Sequence, residues 1–363
     1  MARAHRLGII ALFAAAGLAV TGVQPATAGG GGGSPGEPRV IATGLDNPRG
    51  LAFDRRGSLY VAESGTGGAG PCFPGPEGPT VCFGESGGVT KIGRHGQRRV
   101  VDGLGSIANE GTGEFAIGPS DVAFAGRKMF VTEGLGLDLD FSNTVPELAD
   151  MGQLLAVSGK HGVVTVADLA AFEDANNPTG DEENVNPNSM IRGKKGMVVA
   201  DAGANDLLLV KKNGRVKVLA IFPNRTVGDA TFDEVPTSVQ RGPDGAWYVG
   251  QLTGFPFLPG VANVYRVSAS GDVTVAATGF TNIIDIAFDK HGRLYVLEIF
   301  ANGLLSGDPT GALIRVDDDG SQTEIMSEGL ITPGGLTIRG HAAYVSNCGT
   351  CAGAGEVLRI PLG

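Results

Sequence analysis

Residues 278–298 read TGFTNIIDIAFDKHGRLYVLE. β-Branched and aromatic residues fill two short runs bounded by turn formers, so the stretch predicts strands over 285–288 and 294–297. Between them Lys290-His291-Gly292 makes the turn, with Gly292 supplying the positive φ that closes it without steric cost. One such hairpin is marginal in water, so its copies decide the fold.

Five further stretches align with 285–298. They are 50–63 (GLAFDRRGSLYVAE), 121–133 (DVAFAGRKMFVTE), 189–201 (SMIRGKKGMVVAD), 238–251 (SVQRGPDGAWYVGQ) and 335–347 (GLTIRGHAAYVSN). Third runs follow at 88–92, 153–157, 207–210, 264–267, 313–316 and 357–360. Fourth runs follow at 98–101, 163–166, 216–220, 273–276 and 323–326. A spacing of about 54 residues suits one four-stranded blade per copy. The sixth copy lacks a fourth run, and Arg39-Val40-Ile41-Ala42 resembles one. Pairing 39–42 with 357–360 would leave no raw edge between the first and last blades. The expectation is an all-β, six-bladed β-propeller of four-stranded blades, closed by the N-terminal strand in the last blade.

Residues 1–28 read as an export signal: Arg3 and Arg6, an apolar run over 7–20, and the cleavage pattern Ala26-Thr27-Ala28. The expected organisation is cleavage after Ala28, a Gly-rich linker over 29–38 and a propeller over 39–363, giving a secreted, extracellular protein. No cysteine follows the cleavage site, which argues against a lipid anchor, and no later apolar run is long enough to span a bilayer. Of 28 basic and 38 acidic residues, losing Arg3 and Arg6 leaves 26 against 38, a balance of −12. That argues against nucleic acid and anionic membrane as partners. The 60 glycines are dispersed along the chain, as a turn-dense β protein requires. A monomer engaging a small-molecule, glycan or protein ligand is expected.

In a propeller the first-to-second and third-to-fourth turns share one face. Here they are short and basic, whereas the second-to-third loops and crossovers (64–87, 134–152, 252–262, 299–311) are long and rich in Asp, Glu, Gly and Pro. Long loops on a rigid scaffold carry binding. On that face the second strands end in Glu63, Glu133, Asp201, Gln251, Glu298 and Asn347, a ring of four carboxylates and two amides. Such groups either cap backbone N–H groups of their own loops or form an acidic mouth that gathers a cation or polar ligand. Phe255 and Phe257 are an apolar ligand contact or packing over a blade edge. Nearer the axis, Asp121, Asn188, Asn282 and Asp285 stand at first-strand starts. Their oxygen-only chemistry suits Ca2+ or Mg2+ rather than zinc, and Asp121 and Asp285 are the alternative catalytic pair. Asp138-x-Asp140-x-Ser142 departs from a calcium loop, with Asn143 at the Gly position and Ala149 at the Glu position.

His95, His161, His291 and His341 fall in or beside the short turns, which argues against a Ser-His or Cys-His nucleophile on the long-loop face. Residues 167–175 have helical spacing and read as a short surface helix. Four cysteines in an exported chain suggest two disulfides. Local pairing of Cys72 with Cys82 and of Cys348 with Cys351 is simplest, with cross-pairing or a zinc site built from all four cysteines as the alternatives.

Several blocks carry a resemblance: VIATGLDNPRGLAF (40–53), VADLAAFEDANNPTG (166–180), VGQLTGFPF (249–257), TGFTNIIDIAF (278–288), LEIFANGLLSGDPTGALIRV (297–316) and VSNCGTCAGAGEVLRI (345–360). Across 40–360 the chain resembles the ScyD/ScyE family of exported propellers, which implies fold and export and no particular reaction. The repeats also resemble NHL-type and gluconolactonase-like propellers. The latter resemblance implies a metal-binding Glu at the first strand start, where this chain has Asn47-Pro48-Arg49-Gly50. The leading expectation is therefore a non-catalytic extracellular binding or scaffold module acting through its acidic long-loop face. The alternative is a divalent-metal-dependent, lactonase-like hydrolase centred on the axial channel mouth.

Overall fold

The computed structural model describes residues 37–75, 78–158 and 162–363. The expected signal, most of the linker and His161 lie outside the described residues. Six antiparallel sheets form a six-bladed β-propeller. The innermost strands, in ring order, are Pro48–Phe53, Pro119–Ala125, Pro187–Arg192, Pro236–Arg241, Ile283–Phe288 and Gly335–Arg339, and each packs on the next. In the sixth blade Arg39–Leu45 pairs antiparallel with Gly355–Pro361, so the two ends of the described chain share one sheet.

Each seam between blades holds its own apolar cluster. Blades 4 and 5, for example, meet through Val264, Ile286 and Val296, all fully buried, with Tyr248 and Phe288 packed against them. Blades 3 and 4 meet through Val198 and Ala200 on one side and Val239 and Val249 on the other. Burying each such side chain contributes roughly 1.5–3 kcal/mol, and both faces of every blade take part. The outermost strands of the repeat are the ones that read as exposed, such as Val273–Phe280.

The entry to each inner strand has a common geometry. In blades 1 to 5 the pairing of the first two strands skips a residue just after the opening Pro or Ile, at Pro48, Pro119, Pro187, Pro236 and Ile283. A bulge re-aims the side chain that it adds. Counting Pro333, two residues ahead of Gly335, as the opener of blade 6, a left-handed residue stands before the opener in four blades: Asn47, Val235, Asn282 and Thr332. That turn brings the chain over the loop face and down into the axis.

Blade 1 departs from the expected strand lengths. The runs read as 88–92 and 98–101 belong to 14-residue strands, Thr80–Gly93 and Gly96–Asn109. Register shifts around Gly84, Gly87 and Val89 let these strands bend out of the blade and continue as a flap over the loop face. Cys72–Pro74 adds to the flap edge, where Cys72 is bonded to Cys82. The second disulfide joins Cys348 to Cys351, and no cysteine is free. The helix expected at 167–175 runs over Leu169–Asn176, with Asp168 accepting the Ala171 N–H at 2.8 Å as its N-cap. Asp138 likewise caps a single turn, Leu139–Ser142, rather than opening a calcium loop.

Candidate functional site

The bulges aim five residues at one place. Arg49, Ser120, Asn188, Thr237 and Ile284, each directly after a strand opener, line a cavity of about 160 Å³ at the axis on the long-loop face. The long connections build its walls. The blade 1 flap supplies Pro79, Val81, Ile107 and Asn109, and the segment after it supplies Phe115 and Ile117. Blades 4 and 5 close the far side with Leu252, Phe257, Ile299 and Leu304. Most of that surface is carbon, with hydroxyl and amide groups spaced among it, as small-molecule sites generally are.

Arg49 is the one charged side chain among the described lining residues. Its Nη2 donates to the Ala116 carbonyl at 2.8 Å and its Nε to Ser64 Oγ at 3.3 Å. It joins none of the ion pairs among the described residues. Burial in this poorly hydrated setting pulls its guanidinium down to about 10. Two of its donors are thus spent on holding the fork in place, and five are available in all.

Below this layer lie Gly50, Asp121, Ser189, Ser238, Asp285 and Gly335, one per blade. Asp121 accepts from Val122 N at 2.7 Å and from Met190 N at 2.8 Å; Asp285 accepts from Ile286 N at 2.8 Å and Leu336 N at 2.7 Å. Burial raises both carboxyls, Asp121 to about 7 and Asp285 well above the usual range, the latter further lifted by Asp121. Asn188 lies one layer higher and donates to Thr237 O at 2.6 Å. Asn282 is not in the channel. Fully buried, it braces its loop by donating to Leu252 O and accepting from Leu304 N. The four expected metal-site residues are therefore split between two channel layers and a loop.

The six second-strand termini stand outside the cavity lining. Four of them accept an N–H from the approach to their own blade's inner strand. Glu63 takes Asp46 N at 2.9 Å, Asp201 takes Asn186 N at 2.7 Å, Glu298 takes Thr281 N at 2.6 Å and Asn347 takes Ile331 N at 2.8 Å. Glu63 also pairs with Arg99 at 3.1 Å. Gln251 accepts from Asn263 N and Arg225. Burial holds Glu298 up at about 7 and Glu133 well above its usual range, with Asp150 adding to the latter. Of the two aromatic candidates, Phe257 lines the cavity and is buried, while Phe255 is 41% exposed and meets it edge-on.

Repeat alignment passes over Arg49, which enters the sequence reading only as part of a departure at the first strand start. Yet it is the sole basic residue at that register position in the six blades. Comparing the residue after each opener (Arg49, Ser120, Asn188, Thr237, Ile284, Gly334) is the signal that finds it.

No family model matches the chain, and no curated protein matches it in sequence. Solved structures do resemble it. Virginiamycin B lyase from Staphylococcus aureus superposes with a TM-score of 0.51 at 10% identity, covering 91% of this chain and 100% of that one. The calcium-binding protein regucalcin from Agrobacterium tumefaciens gives 0.50 at 12% identity, covering 91% and 96%. At these identities the likeness is one of fold: the chain shares the β-propeller architecture of both.

Proposed function

We propose that the protein is an exported binding module, in keeping with its resemblance to the ScyD/ScyE propellers, and that its axial cavity takes a small, largely apolar molecule bearing a carboxylate or similar acceptor. The observation that carries this reading is Arg49, a guanidinium without an ion-pair partner among the described residues, set among apolar walls. A charged donor in such a place favours a charged acceptor, and the fork geometry suits a carboxylate. Its tethers to Ala116 and Ser64 pre-order it, which lowers the entropic cost of binding. Three of the four buried carboxylates around the cavity, Glu63, Asp201 and Glu298, brace the loops that shape it.

The test compares a matched pair of probes, cinnamate and cinnamyl alcohol, by titration calorimetry against the mature chain. Cinnamate is expected to bind at least tenfold more tightly, and Arg49→Met to remove that difference while leaving the alcohol unaffected. Equal affinity for the two in the unaltered protein, or no saturable binding of either, would overturn the reading.

The hydrolase alternative draws less from the geometry. Both oxygens of Asp121 and of Asp285 already accept backbone N–H groups, so each carboxylate has a bracing role that needs no ion. Ester or lactone turnover abolished by Asp121→Asn would nevertheless revive it.

A further inference from the structure

A second group of acids lies beside the axis, under the helix Leu169–Asn176. Asp201 ends the second strand of blade 3 and Asp206 begins the third, and the two are register partners across the hairpin. Asp201 Oδ1 accepts three N–H groups, from Asn186, Gly203 and Ala204. Among the described residues its Oδ2 has no partner, and neither oxygen of Asp206 has one, although both residues are completely buried. Glu173, 1% exposed on the helix, leaves Oε1 unpaired, and so does Asn184 with Oδ1. A Cβ built on Gly203 would stand 2.6 Å from that Asn184 oxygen, which puts the amide against the hairpin turn. Five buried oxygens from four residues thus lack a donor, and none of the three carboxylates joins an ion pair among the described residues.

Burying one unpaired carboxylate is costly, and burying three that repel one another is worse. An oxygen-only set with no His or Cys matches a hard cation, and an irregular shell of six to eight oxygens matches Ca2+ better than the strict octahedron of Mg2+. We infer that Glu173, Asn184, Asp201 and Asp206 form a Ca2+ site between blades 2 and 3. Among the described residues the one trio of acidic, Cys or His ligand atoms within 4.8 Å of one another is Cys72, Cys82 and Glu110, two of which are disulfide-bonded. The three carboxylates of the proposed site stand wider than that. As register partners across one hairpin, Asp201 and Asp206 are assigned as its direct ligands, and Glu173, on the helix, as reaching the ion through water. Asn186 and Ala202, which line the axial cavity, are bonded to or adjacent to Asp201. The ion would therefore stiffen one wall of that cavity, but its presence does not depend on what the cavity binds.

The experiment is thermal unfolding of the mature, chelator-stripped chain at pH 7.5, in 1 mM EDTA and in 2 mM free Ca2+, with equilibrium dialysis against 45Ca2+. For a Kd near 10 µM, Ca2+ raises Tm by roughly 4 °C. One ion per chain is expected, lost in Asp206→Asn and bound at least tenfold more weakly by Glu173→Gln. The channel variant Asp121→Asn should keep the full shift. A Tm insensitive to Ca2+ with no bound 45Ca2+ would overturn the inference, and so would a shift that survives in both site variants. If Asp206→Asn does not fold, Glu173→Gln decides, since Gln keeps the size and shape of the buried side chain it replaces.

Discussion

Asp121 of blade 2 and Asp285 of blade 5 occupy the same register position on opposite sides of the ring, and each binds the next blade in the same way. Asp121 accepts Met190 N at 2.8 Å, and Asp285 accepts Leu336 N at 2.7 Å. Ser189 repeats the link more weakly, taking Val239 N at 3.3 Å. At this register position three of the six seams are thus stitched by a side chain that accepts one backbone N–H of the next blade.

These stitches carry a pH dependence. Both carboxyls hold a proton more tightly when folded than at the unfolded value of about 3.9, Asp121 up to about 7 and Asp285 well above its usual range, because burial disfavours the charge. Folding therefore takes up protons between about pH 4 and 7, and stability falls as pH rises through that window. Denaturant midpoints in EDTA should be lower at pH 8 than at pH 5. Asp285→Asn should flatten the slope by at most about 1.4 kcal/mol per pH unit, one proton's worth. Losing one acceptor should cost about 1 kcal/mol at pH 5. A midpoint that rises from pH 5 to pH 8 contradicts the assignment.

Gly50 makes room for the first stitch. A Cβ there would lie 2.2 Å from Asp121 Oδ1 and 3.0 Å from its Cα. Gly50→Ala should destabilise the protein by roughly 1–3 kcal/mol, the usual cost of overpacking. Because the nearest obstacle is the Asp121 side chain, Asp121→Ala should relieve part of that loss. Urea unfolding of both single variants and the double variant measures the coupling; strictly additive losses would show that the clash is not with Asp121.

The blades were legible because each repeats two alternating runs around a turn glycine, as Gly292 does between Phe288 and Leu294. The axial site was less legible, for a geometric reason. Strand side chains alternate faces, so a one-residue bulge changes which residue looks at the axis. Alignment from Asp121 and Asp285 finds the lower layer but not Arg49 or Ser120 above it. The ring from Glu63 to Asn347 was legible as equivalent positions. Capping of loop N–H groups was one of the two readings of that ring; which groups arrive, such as the N–H of Asp46 and of Thr281, was not legible, because that depends on the folded path of each loop. Asp206 reads in sequence as an ordinary strand start; only the folded chain shows that no donor reaches it.

The flap of blade 1 should respond locally to loss of its disulfide. Cys72 and Cys82 are ten residues apart and directly paired in register. Closing so short a loop is worth about 3 kcal/mol in chain entropy, and the flap's anchoring in the core runs mainly through Phe73, Val81 and Ile107. Replacing both cysteines with serine should speed amide exchange across 71–75 and 78–83 and weaken cinnamate binding, with the exchange of the inner strands unchanged. Faster exchange across all six inner strands would show instead that the flap holds the whole ring.

The closing strand should matter to the whole ring. Arg39–Leu45 covers Gly355–Pro361, and its Ala42 and Leu45 are buried beside Leu51, Val61 and Val357 in the seam between blades 6 and 1. Removing it uncovers the backbone edge of Gly355–Pro361 and opens that apolar cluster to water. An exposed edge of that kind is a template for pairing with other chains. Deleting 39–45 should therefore lower the unfolding midpoint sharply and produce aggregates by light scattering. A synthetic RVIATGL peptide should partly restore both, because its strand can be supplied from outside. A monomeric truncated protein with an unchanged midpoint would mean that the ring is held by its axial stitches and seams without the shared sheet.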